Sequence, residues 1–197
     1  MSSAYRKCEI SGSCNHGQAL VEFAIVLPFL LLLALGVIEF SYAIYAKHVV
    51  IKMAREGSNL ISRNTSLVDA GTIMTSMANT PVDLNSNHSL MIFSVIRIGS
   101  VTNVNKPVLY KRRVMGSLSG YTSILSTSGT CNFVSSSDYA NSAVDGCLIA
   151  GGLPAGVVVP NSGQLYMTEV YNTHNYLTPA GNFGISSPNT LYANAYF

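Results

Sequence analysis

Gly17 and Glu22 are the first residues of this chain whose types and spacing could do chemistry. Glycine lets the backbone lie extended and unhindered, which a peptidase needs at the bond it cuts. A cut after Gly17 would leave an amine on Gln18 one helical turn from the Glu22 carboxylate. Amine and acid could then neutralise each other within or between subunits. The acid needs such a partner, because it adjoins sixteen uncharged residues from Phe23 to Ile38. A carboxylate costs about 2.5 to 3.5 kcal/mol at the centre of a membrane helix and less near an interface. The stretch from Gly17 to Ile38 therefore reads as a processing site fused to a membrane helix.

The cysteines form a second candidate group. Cys8 and Cys14 precede Gly17 in a segment that processing would remove, while Cys131 and Cys147 lie far downstream. In an oxidising compartment the later pair is expected to form a disulfide, with a chain-entropy contribution of about 3 kcal/mol. Zinc is not expected, since neither cysteine has a cysteine or histidine at ligand spacing.

No catalytic constellation emerges, and no cofactor is implied. Gly116-Ser117-Leu118-Ser119-Gly120 has leucine where a nucleophile elbow needs serine. Phosphate-binding loops and paired metal-binding histidines are missing from the sequence. His16, next to the cut, reads as incidental, and His48, His88 and His174 as surface or capping residues. The basic run Lys111-Arg112-Arg113 reads as a solvated strand edge that discourages aggregation, with an anionic surface polymer as the weaker alternative. Tyr166, Tyr171, Tyr176, Tyr192 and Tyr196 could serve adhesion or subunit contact, although strand preference explains them equally well.

The elements that must position these residues follow from the pattern. From Gln18 to about Arg63 the only breakers are Pro28 and the tolerable Gly36 and Gly57, which predicts one long helix with its membrane part at about 20–42. Pro28 removes a backbone hydrogen bond and is a candidate kink. Glu39 falls at the outer interface, solvated or in contact with a neighbouring subunit. Beyond Ser41, residues Ala46, Val49, Val50, Met53, Gly57, Leu60 and Ile61 recur at helical steps and predict a face packed on a head. Thr65 or Ser66 can cap a second helix over roughly Leu67 to Ala78, with Met74 and Met77 in its core stripe. Strands are expected at Ser89–Ile98, Pro107–Met115, Gln164–Asn172 and Leu191–Phe197. The Ser, Gly and Asn-rich stretch from Gly116 to Gly163 reads as a long excursion tied by the disulfide. The expected fold is α+β: a 1–17 leader, an 18–63 helix, and a 64–197 head with a short second helix and an antiparallel sheet of about four strands.

Composition narrows the setting. The 134 residues after the long helix suffice for one small domain. From Asn64 onward five basic residues balance five acidic ones, so the head lacks the excess positive charge on which broad nucleic-acid binding rests. Arg6 and Lys7 precede the apolar block, but Lys47, Lys52, Arg55 and Arg63 follow it. The positive-inside rule alone would put the head in the cytoplasm. The processing motif and the downstream cysteines argue for the opposite orientation, with the later basic residues on a helix already clear of the bilayer.

Gly17, Glu22 at the fifth position after it, Phe23, Pro28, Gly36, Glu39 and the run Ala54-Arg55-Glu56-Gly57 together resemble the TadE-like minor pilins of the tight-adherence pilus. The resemblance covers roughly Gly17 to Arg63, and the head only loosely. It implies a prepilin peptidase cutting between Gly17 and Gln18 on the cytoplasmic side of the inner membrane, and an assembly role for Glu22 and Phe23. It further implies a periplasmic head and, as partners, the major pilin, other minor pilins, an inner-membrane assembly platform and membrane lipid. Unlike better-known type IV pilins, the mature chain would begin with Gln18, where those begin with an aromatic residue. Two readings stand beside it: a signal-anchored envelope protein, and a secreted adhesin cut after Ala43 that would begin at Ile44.

Overall fold

The computed structural model describes residues 14–78, 80–141, 145–174, 176–177 and 190–197. The leader up to residue 13, Cys8 included, lies outside the described residues, as do the side chains of Cys14 and His16. Internal contacts divide the chain into two compact units, 1–42 and 43–197.

The first helix, α1, runs over Cys14–Ser62 and remains helical through Pro28. At 1.5 Å per residue it is about 74 Å long, more than twice the roughly 30 Å of a bilayer's hydrocarbon. It begins before Gln18, so Gly17 is helical and not extended. The first turn of any helix lacks intrahelical acceptors for its N–H groups, so unwinding it to present Gly17 costs few hydrogen bonds. Within 17–42 the large apolar side chains are exposed, Phe29 at 70% and Leu20 at 69%.

In the second unit, α1 turns a stripe inward at Ala46, Val50, Met53, Ala54, Gly57, Ser58 and Ile61. Helix α2, Leu67–Met77, starts at Ser66, whose side chain accepts from the Asp69 N–H at 3.0 Å. This is capping by a serine placed directly before the apolar period. Met74 is buried, but Met77 is 57% exposed and does not join the core stripe expected of it.

Among the described residues six strands form one sheet: β1 Ser89–Ile98, β2 Pro107–Gly116, β3 Ser126–Thr127, β4 Cys147–Gly151, β5 Gln164–Thr173 and β6 Thr190–Tyr196. Their order is β3-β4-β2-β1-β5-β6, every named pairing antiparallel. The sheet thus has two strands more than expected. Both come from the stretch read as an excursion: β4 has five residues and β3 has two, too few for periodicity to reveal.

β1 is the central strand and is buried on both faces. Met91, Phe93 and Val95 meet Val50, Ala54, Ile61 and Met74 of the helices in one core cluster. Ile96 joins Leu109, Leu125, Ile149 and Met167 in a second. The sheet therefore has a helix-covered face and a face covered by loops, and the alternation along β1 and β5 decides which side chain goes to each.

Candidate functional site

Two constellations arise from these elements. The first lies on the exposed N-terminal part of α1. Gln18 and Glu22 are four residues apart on one helix face, and the Gln18 side-chain amide donates to Glu22 Oε1 at 3.0 Å. One carboxylate oxygen thus already has a neutral donor. Phe23 next to it is 59% exposed. Ser41 returns its hydroxyl to the Val37 carbonyl at 2.7 Å, hiding a polar group near the end of the apolar run. Among the described residues α1 is the one helix long and apolar enough to cross a membrane, and it can anchor the chain there.

The second constellation is on the loop-covered face of the sheet, centred on Glu169, a carboxylate with no exposed surface. The register sets Glu169 opposite Ile92 on β1 and Asn194 on β6, which points it away from the helices. Its oxygens accept the Ile124 N–H at 2.9 Å and the Ser123 hydroxyl. Ser123 in turn accepts from Arg112 Nη2 at 2.8 Å, while Arg112 Nε reaches Ser94 at 3.3 Å. Arg112 and Glu169 are therefore linked through one hydroxyl, and each charge finds its counterpart across the face of β1.

Electrostatics follow from that burial. Desolvation lowers the pKa of the Arg112 guanidinium, and the Glu169 charge opposes this. The Tyr171 hydroxyl, which donates to Thr122 O at 2.9 Å, is pushed up to about 12 by burial and then by the negative charge of Glu169. The same two causes, in the same order, raise Tyr192 and Tyr196. A buried carboxylate ringed by hydroxyls that hold their protons is an anchor for the 117–125 loop.

The structure thus corrects several sequence expectations. Lys111-Arg112-Arg113 is not a solvated edge: Arg112 is committed to the Glu169 network, and Arg113 is paired with Asp138 at 2.9 Å. Of the tyrosines, Tyr171 is buried, and Tyr171 and Tyr192 stack with centroids 4.7 Å apart, so these rings face inward. His174 is buried, edge-on to Tyr176 at 5.5 Å, and so is not a surface residue; His48 and His88 are exposed. Cys131 and Cys147 are joined in a disulfide, Cα atoms 5.9 Å apart. No group of three His, Cys, Asp or Glu capable of holding a metal occurs among the described residues.

Asp145, two residues before Cys147, belongs to no motif that the sequence displays. Its carboxylate accepts four consecutive backbone N–H groups of the β1–β2 turn: Ser100 at 3.1 Å, Val101 at 2.8 Å, Thr102 at 2.6 Å and Asn103 at 3.1 Å. Desolvation raises its pKa, but these donors outweigh it and hold the group far below the usual carboxylate range. Gly146, at φ +104°, lets the chain turn from Asp145 into β4 where a Cβ would stand 2.5 Å from the Leu109 carbonyl oxygen.

Residues 17–59, which contain the Gly17–Glu22 motif and most of α1, match the family described as TadE-like protein. No curated protein and no solved structure matches the chain.

Proposed function

We propose, from the match of residues 17–59 to the TadE-like protein family, that this chain is a minor pilin of the tight-adherence pilus system and works by assembly. A prepilin peptidase removes the leader after Gly17. The apolar part of α1 then bundles with the helices of the major pilin and other minor pilins, and the Gln18 amine answers Glu22 within or between subunits. An inner-membrane platform assembles the bundle, and the 64–197 head stands on the periplasmic side, where it initiates, caps or tunes the pilus.

The observation that supports this most directly is the placement of Glu22, a single acid beside a fully exposed apolar helix with a donor one turn before it. An isolated membrane anchor has no use for a carboxylate there. A neighbouring amine gives it one, because charge at that depth is tolerated when paired.

The test is the N-terminal residue of the mature protein from cell envelopes, read by mass spectrometry with and without active prepilin peptidase. A peptidase-dependent start at Gln18 is expected. A start at Ile44 would mean cleavage within α1 and a secreted protein, and an intact Met1 a simple anchor; either defeats the proposal.

A further inference from the structure

β4 covers β2 only at Val108 and Leu109. The edge beyond them is taken by a hairpin of residues 131–141. It closes through Val134 N to Tyr139 O at 2.9 Å and Asn141 N to Asn132 O at 2.8 Å, and joins β2 through Arg112 N to Asp138 O at 2.9 Å and Ala140 N to Tyr110 O at 3.0 Å. The disulfide ties its first residue to β4. Asp138, at φ +61°, offers its carbonyl to Arg112 while its carboxylate turns to Arg113.

Between hairpin and strand lies an open cleft of about 280 Å³, lined by Arg112, Arg113, Phe133, Ser135 and Asp138 with two valines at its margins. Ligand pockets begin at about 300 Å³, so the space suits a single small ring. The lining has two characters. Phe133 supplies an aromatic wall, with the Arg112 guanidinium 5.6 Å from its ring centroid. Arg113 gives one Nη to Asp138, and its Nε is buried with no hydrogen-bond partner among the described residues. Of the residues that line the cleft, Arg112 and Arg113 set against Asp138 leave one positive charge.

We propose that the cleft binds one acidic sugar residue, a uronate, with its carboxylate at Arg113 and the apolar face of its pyranose ring against Phe133. A planar guanidinium suits a carboxylate because two N–H groups can meet its two oxygens. Asp138 and Ser135 are left as partners for ring hydroxyls. A neutral sugar would forgo the residual positive charge, and an aliphatic carboxylate would forgo the aromatic wall. The inference goes beyond the assembly reading and does not rest on it, since every group used lies in the head.

The experiment titrates the full chain in detergent micelles, disulfide intact, with galacturonate, with an oligogalacturonate and with galactose, followed by calorimetry. Binding of at least one uronate, at least tenfold tighter than galactose, is expected. An oligomer bound tenfold tighter than the monomer identifies a polysaccharide as the source of the uronate, and equal affinities identify the free sugar acid. Arg113→Gln should weaken uronate binding at least tenfold. So should Phe133→Leu, which keeps an apolar side chain in the hairpin and leaves the Arg113–Asp138 pair untouched. A wild-type chain that binds neither uronate overturns the proposal, as does galactose bound equally well. Two variants that both bind like wild type overturn it too.

Discussion

Gly57 of α1 lies so close to Thr168 of β5 that a Cβ at position 57 would stand 2.8 Å from Thr168 Cγ2, and 3.1 Å from a ring carbon of Phe93. Glycine in a helix costs about 0.5 to 1 kcal/mol relative to alanine, but here it sets how near α1 comes to the sheet. Overpacking a core costs about 1 to 3 kcal/mol, so the steric term wins. Gly57→Ala should lower stability by about 1 kcal/mol and Gly57→Leu by about 3 kcal/mol, measured by denaturant unfolding of the full chain in detergent. An Ala variant more stable than wild type would show that α1 can back away.

Glu22 and Gln18 make different predictions although they are hydrogen-bonded. If the assembly partner of Glu22 is the new α-amine, the Gln18 side chain is dispensable once the leader is gone. Gln18→Ala should therefore still be cut and still support pili, while Glu22→Ala should remain in the membrane fraction and lose pili. Electron microscopy of both strains, with membrane fractionation, decides it. Normal piliation in Glu22→Ala would remove the assembly role from that residue.

Removing the disulfide frees the first residue of the hairpin from β4 and leaves the hairpin held by its contacts with β2. For a cross-link spanning 16 residues the chain-entropy contribution is about 3 kcal/mol. Cys131→Ser should lower stability by about that amount. Hydrogen exchange should quicken first at the Arg112 and Ala140 amides, which join hairpin to strand, with β1 and β5 little changed. Uniform loss of protection across the sheet would mean the disulfide supports the whole core.

Glu169 is a fully buried charge in the head. Removing one member of a buried charged pair costs about 3 to 5 kcal/mol, because the other stays buried without compensation. Here one hydroxyl separates the two groups, so about 3 kcal/mol is expected for Glu169→Ala in thermal or denaturant unfolding. Arg112→Met together with Glu169→Leu should recover much of that, and failure to do so would show that the loop hydrogen bonds, not the charges, set the stability.

How legible this was depended on the length of the signal. α1 announced itself through an uninterrupted apolar run, and β1 through a ten-residue strand with seven apolar residues spread over both faces. Both are long enough for periodicity to be unambiguous. β3 and β4 have two and five residues, and their place in the sheet is fixed by the disulfide and by what β2 leaves uncovered. Glu169 is a single acid in an apolar strand, and which face it takes depends on a register that only pairing reveals. Arg112 and Arg113 looked like a surface run because adjacent strand residues point opposite ways. The sequence could not show that a hairpin 20 residues later would cover their edge.

Asp145 should make the stability of the head depend on pH. Its folded pKa is depressed, so its contribution is present above the unfolded value of about 3.9 and is lost as pH falls toward the folded one. Wild-type stability should thus hold down to about pH 4 and erode below it. Asp145→Asn keeps one acceptor oxygen but no charge, and cannot satisfy four N–H groups with it. The variant should be less stable than wild type at neutral pH and lose less on acidification, so that the two curves converge between about pH 4 and pH 2. Thermal unfolding across that range, with exchange at the Val101 and Thr102 amides as the local readout, checks both parts. Parallel curves would mean that Asp145 is not the group whose protonation loosens the β1–β2 turn.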